Sequence, residues 1–173
     1  MKTLVQHLTQ YAAYHREQRN IYTHFVGIPM IVLALAILLS RPTLQVFALN
    51  LSAAWLLWAG LGAFYLRLHL GLGLLMTGLL GLCVWAGHNL AQQSTALWLS
   101  VGVGLFVVGW IIQFVGHFYE GRKPAFLDDI MGLAVGPLFV VVEMLFILGA
   151  LPALRQQVES QAGPVRMGAL KAH

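Results

Sequence analysis

The sequence predicts an all-α fold: an integral membrane helical bundle of about five membrane segments, preceded by an amphipathic interfacial helix. Three observations carry that prediction. The 173 residues are 59% hydrophobic and 9% charged, where soluble proteins carry about a quarter charged residues. Several apolar stretches approach the ~20 residues that cross a bilayer as a helix. Polar residues gather in short clusters between those stretches. A chain of this length has room for one domain, set at residues 1–155 and followed by a polar tail, 156–173, whose composition is compatible with disorder.

A sequence pI near 9.6 and a net charge of +4 raise the question of nucleic acid. The basic residues are dispersed at segment ends, without a run or stripe, so lipid headgroups are the expected partner and nucleic acid is not. Cys83 is the single cysteine and lies in an apolar run. It has no internal disulfide partner and reads as a small packing residue. The first apolar run begins late, after a polar-rich stretch, so no signal peptide is expected.

Each element has its own justification. Residues 2–18 place Leu4, Leu8, Tyr11 and His15 at helical spacing, the pattern of an amphipathic surface helix. Asn20 is a candidate N-cap for the first membrane segment, 21–40, which Arg41-Pro42 ends. A second segment covers 44–66 and a third 68–86, divided by little more than Arg67 and His69. A polar loop, 88–95, precedes the fourth segment, 96–119. The loop from Glu120 to Asp129 is the largest charged loop, with Asp128 and Asp129 as candidate caps. A fifth segment, 130–151, stops at Pro152. Glycines of the third and fourth segments, among them Gly71, Gly73, Gly102 and Gly104, suit close helix approach in lipid, and none follows a strand as a phosphate loop requires.

Alternation of five spans brings distant residues to one membrane face. His15 and His24 enter the first segment on the same side that receives Arg67, His69, Gln113, His117 and Glu120. That face also carries Lys2, Arg16, Arg19, Arg122 and Lys123, so the positive-inside bias places it toward the cytoplasm. On the fourth segment Gln113, His117 and Glu120 form one helical stripe, which should face protein or a polar cavity. Asn20 and His24 share a face likewise. His15 and His24 would oppose each other on one continuous helix, so a bend near Asn20 is expected, with Gly27 and Pro29 allowing a kink further on.

Three imidazoles and a carboxylate suit divalent iron, zinc or copper. His15, His24 and His117 are the candidate metal ligands, Glu120 a candidate catalytic or ligating carboxylate, and Asn20 and Gln113 their candidate supports. His69 sits on the same face with fewer polar neighbours. His7, His88 and His173 read as ordinary interfacial groups. Glu143 stands midway along an apolar segment, where a carboxylate must be paired or protonated or line a cavity.

The pattern His15-x4-Asn20-x3-His24-x2-Gly27-x-Pro29, then Trp110-x2-Gln113-x2-Gly116-His117-x2-Glu120-x3-Pro124-Ala125, then Gly136-Pro137-x-Phe139-x3-Glu143 resembles the iron-dependent 2-hydroxy fatty acid dioxygenase family. The likeness runs from the first helix to the fifth segment, and the two histidine-bearing motifs are its specific part. His69 and His88 lie outside the pattern. The resemblance implies Fe(2+), dioxygen and α-oxidation, in which a 2-hydroxy fatty acid is cleaved between its first and second carbons to an acid one carbon shorter. It also implies a membrane-interface site, with Arg16, Arg19, Arg122 or Lys123 receiving the substrate carboxylate and the acyl chain entering the bundle.

Two other classes compete. A di-iron lipid hydroxylase or desaturase needs clustered HxxxH and HxxHH pairs, which the seven histidines do not form. A transporter or non-enzymatic lipid-binding protein would spread polar groups through the depth of the bundle, whereas here they collect at one level, Glu143 excepted. Chain-length preference and oligomeric state leave no mark on the sequence.

Overall fold

The structure, a computed structural model, describes residues 2–46 and 49–167. His173 and the tail from 168 onward lie outside the described residues, as do positions 47 and 48 of the expected second segment. In chain order the elements are α1 (Leu4–Ala12), α2 (Gln18–Leu39), β1 (Thr43–Val46), β2 (Leu49–Ser52), α3 (Ala53–Leu68), α4 (Leu70–Ala91), α5 (Thr95–Glu120), a 3₁₀ turn (Ala125–Leu127), α6 (Gly132–Ile147) and α7 (Pro152–Ala162). Helix dominates, as composition predicts. Among the described residues three helices, α2, α4 and α5, are long and apolar enough to cross a membrane; α6 and α7, bent by 115° at their junction, would make a fourth span if counted as one.

The expected count of five therefore meets a shorter list. The second segment begins not as helix but as an antiparallel hairpin, with Thr43 opposite Ser52 and Val46 opposite Leu49. The physical reason is legible afterwards: Thr-Leu-Gln-Val and Leu-Asn-Leu-Ser alternate polar and apolar residues, the period of a strand. That leaves α3 only 16 residues, short of the ~20 needed to span. The fifth segment shortens in the same way, because α6 ends at Ile147 and Pro152 opens α7 in its first turn, where a missing N–H costs nothing. Asp128 and Asp129 do not cap α6 either. Asp129 accepts a bond from Met131 N ahead of the helix, and Asp128 pairs with Lys123.

The chain folds as two compact units, Met1–Ile28 with Ile111–His173, and Pro29–Trp110. In the first, α1 opens on a capping box in which Thr3 and Gln6 satisfy each other's backbone N–H groups. Its buried face, Leu4, Leu8, Tyr11 and Ala12, packs on α6 and α7. Val135, Leu138, Phe139, Val142 and Phe146 of α6 and Val158 of α7 are likewise buried. The start of the expected tail is helical in α7. Gly163, at φ 84°, then turns the chain, and Glu17 pairs with Arg166 in a parallel bridge.

In the second unit, α3 packs on α4 around Ala36, Ala54 and Val84, with Trp55, Trp58 and Cys83 against them. Cys83 is thus a packing residue. A Cβ on Gly73 would lie 2.5 Å from Leu66 Cα, so bare backbone is what lets α3 and α4 meet there. Gly78 and Gly104 have open space instead, and close approach within the chain does not explain them.

Candidate metal centre

The site forms where α1 gives way to α2. Helix α1 ends at Ala12, residues 13–17 are non-helical, and α2 starts at Gln18. His15 thus stands in the break while His24 stands a turn and a half inside α2, which removes their conflict. The bend lies a few residues earlier than expected. Asn20 is accordingly not the N-cap. Ile21 N donates to Glu17 O, and the Glu17 carboxylate accepts from Arg19 N at 2.6 Å, so Glu17 caps the helix.

His15, His24 and His117 each offer one ring nitrogen to a group lying within 4.8 Å of one another, and all three rings are buried. The tautomers of two are fixed by the backbone. His15 Nδ1 is 2.7 Å from Tyr11 O and His24 Nδ1 is 2.8 Å from Asn20 O. A carbonyl only accepts, so both Nδ1 atoms carry the proton and both Nε2 atoms present lone pairs. Those Nε2 atoms face each other at 3.0 Å. Two lone pairs converge without a proton between them, which repels unless a cation intervenes. Nitrogens bound ~2.1 Å from one ion at a right angle would be ~3.0 Å apart. Metal-ligating histidines commonly donate their other N–H to a backbone carbonyl in this manner. The donor set therefore fits a divalent transition metal.

The His15 ring is held well below the ordinary imidazole pKa, first by burial and then by His24, against a partial offset from the Tyr11 carbonyl. It is neutral and ready to ligate at neutral pH. Tyr11 stacks on it at 4.2 Å with planes 4° apart, and Phe139 flanks both rings. The sequence marked Tyr11 as part of the apolar stripe of α1 and Phe139 as part of the resemblance, but assigned neither a place against the histidines. His117 Nδ1 is buried and makes no hydrogen bond of ordinary geometry.

Glu120 belongs to the support of the site. Its Oε2 accepts from Arg16 N at 3.0 Å, Glu17 N at 2.8 Å and Asn20 Nδ2 at 3.0 Å, and its Oε1 accepts from Arg166 at 2.6 Å. The carboxylate thus ties the end of α5 to the start of α2, and it is not among the converging nitrogens. Gly121, at φ 69°, ends α5 directly after it, a backbone that favours glycine. Gly116 lets the same helices meet: a Cβ there would clash with Thr23 Oγ1 and lie 2.5 Å from Asn20 Oδ1. Asn20 is fully buried and its Oδ1 has no hydrogen-bond partner; Gln113, one turn before His117, is buried with Nε2 unpartnered.

Arg16 is not a rim residue. It is buried, its Nη2 pairs with Glu143 Oε1 at 2.9 Å, and its other N–H groups donate to Ala12, His15 and Gly163 carbonyls. This also supplies the partner that a carboxylate within the apolar stretch around Glu143 demanded. Arg19 pairs with Glu17 and stacks over Tyr119, Arg122 donates to Ala13 O, and Lys123 pairs with Asp128; all three are on the outside. His69 belongs to the other unit, where it is exposed and caps α4 by accepting from Leu72 N. His88 bonds Gln92 on the surface.

The fold and the cluster define a helical protein, with helices long and apolar enough for a membrane, built around three buried histidines able to hold a metal ion. A family model described as 2-hydroxy-palmitic acid dioxygenase Mpo1-like matches residues 1–148, and the chain belongs to that family. The 2-hydroxy-palmitic acid dioxygenase MPO1 of Saccharomyces cerevisiae is 34% identical to it over 151 residues, 86% of this chain and 83% of the relative. No solved structure matches.

Proposed function

We propose that this chain is an Fe(2+)-dependent dioxygenase that converts 2-hydroxy fatty acids to fatty acids one carbon shorter, the reaction of α-oxidation, at the cytoplasmic interface of a membrane. The observation that carries the reading is the convergence of the His15 and His24 Nε2 lone pairs beside His117, with both Nδ1 protons committed to backbone carbonyls. The yeast relative, by its name, acts on 2-hydroxy-palmitic acid.

His15, His24 and His117 would hold the ion, which when bound supplies the one-electron chemistry that dioxygen needs to react with a closed-shell acid. Three protein ligands would leave room on the ion for substrate, as in facial-triad sites. The overall reaction closes without an outside reductant. Carbon 2 goes from alcohol to carboxylic acid as its bond to carbon 1 breaks and a new bond to oxygen forms. Carbon 1 leaves as carbon dioxide, and dioxygen takes up the four electrons released, the net balance adding one oxygen to the acid and giving one water. The protein's part is placement. Gln113, one turn before His117 on α5, has a buried Nε2 without a hydrogen-bond partner that would serve as a donor to substrate. Arg19, Arg122 and Lys123 form the outer cationic rim for the substrate carboxylate, with Arg16 excluded by its pairing to Glu143.

The test is anaerobic purification with metal quantification, then incubation with 2-hydroxypalmitic acid and oxygen. Formation of the shortened acid that stops on iron removal and returns with ferrous iron is expected. Purified protein that turns over no 2-hydroxy acid at full iron occupancy would overturn the reading.

A further inference from the structure

We propose that the segment following α7, residues 163–167, positions the metal centre through Arg166; this rests on the metal reading above. The segment lies beyond residues 1–148, which the family model matches. It runs alongside the break that carries His15: Arg166 N donates to Arg16 O at 2.6 Å and Gln18 N donates to Arg166 O at 3.0 Å. Its side chain then reaches Glu120, with Nη2 2.6 Å from Oε1. The Glu120 side chain is fully buried while that of Arg166 is 62% exposed, so the arginine closes the site's carboxylate from outside.

The other oxygen of that carboxylate holds Arg16 N, Glu17 N and Asn20 Nδ2. Each of these leads to a ligand. Residue 16 follows His15. Asn20 supplies the carbonyl that orients His24. Glu120 lies one turn beyond His117 on α5. Glu120, with Asn20 bound to it, is therefore tied to all three histidine-bearing stretches, and Arg166 is the only cationic side-chain partner of Glu120 among the described residues. An ion pair exposed on one side adds little to global stability. Its effect is geometric: it fixes which way the carboxylate plane faces and so where the backbone of 16–20 sits.

The test uses full-length protein in detergent micelles, loaded anaerobically with Co(II) as the probe. The readouts are the visible ligand-field spectrum and the rate of Co(II) loss to a chelator. Arg166→Ala should shift the spectrum and lose Co(II) roughly tenfold faster, the low end for groups that orient ligands. Arg166→Lys should recover most of that loss. Arg155→Ala, which removes another exposed arginine ion pair of this terminal region, should match wild type. Glu120→Gln combined with Arg166→Ala should lose Co(II) no faster than Glu120→Gln alone. A wild-type spectrum and rate in Arg166→Ala, or additive rates in the double variant, overturn the proposal while leaving the metal reading intact. Wild-type protein that takes up no Co(II) overturns both.

Discussion

Removing both partners of the Arg16–Glu143 pair should cost far less than the sum of removing each alone. The two side chains are only 6% and 8% exposed and meet at 2.9 Å. Glu143→Leu strands a buried guanidinium, which costs ~3 kcal/mol, the lower end for a broken buried pair because Arg16 keeps three carbonyl acceptors. Arg16→Met strands the carboxylate and also releases those carbonyls, for ~4 kcal/mol. With both charges gone, the desolvation cost disappears, and the double variant should lose ~4 rather than the ~7 kcal/mol of simple addition, a coupling of ~3. Denaturant unfolding in micelles, followed by circular dichroism for the four proteins of the cycle, measures it. If the two single effects add to within ~0.5 kcal/mol, the pair is not the structural unit described and Arg16 is free for another role.

Three further outcomes are expected. Replacing His15, His24 or His117 singly by alanine should lower bound metal at least ~10-fold without loss of helical signal, since each supplies a third of the ligand set; a single variant retaining full stoichiometry would remove that residue from the site. Because burial holds the folded His15 pKa well below its unfolded value of ~6.5, the unfolded chain binds the proton more tightly, so this ring's contribution to apoprotein stability is complete above ~6.5 and lost as pH falls toward the depressed folded pKa. Melting of the metal-free protein across pH 4–8 checks the sign; replacing His15 by glutamine should flatten the acid limb. Gly116→Ala should cost ~1–3 kcal/mol and weaken metal retention together, because the new methyl meets Thr23 and Asn20 between α2 and α5; chelator competition alongside thermal unfolding would show the two falling in step.

Much of the site was readable because its residue types are costly where they sit. Histidines, a glutamine and carboxylates at the ends of apolar helices demand partners, and three of them do converge. What spacing could not reveal was each partner's identity. Arg16 looks like a headgroup anchor in sequence and is a buried counter-ion to Glu143, 127 residues away. Glu120 has the spacing of a ligand, and only the fold shows that its carboxylate accepts from the backbone of residues 16 and 17 and from Asn20 and Arg166. Arg166 sits in a polar tail with no pattern to mark it. The hairpin at 43–52 is a different kind of miss, since its two-residue alternation was present but overruled by hydrophobicity.

By itself the sequence determined the helical class, the apolar stretches, a break ahead of the first long helix and the three histidines, because hydropathy, periodicity and residue chemistry are local properties of the chain. The tertiary structure decided which helices are long enough to span, which nitrogens face each other, and which charges cancel. Those depend on distances between residues a hundred positions apart, and a buried charge or lone pair acquires its meaning only from what the fold sets within ~3 Å of it.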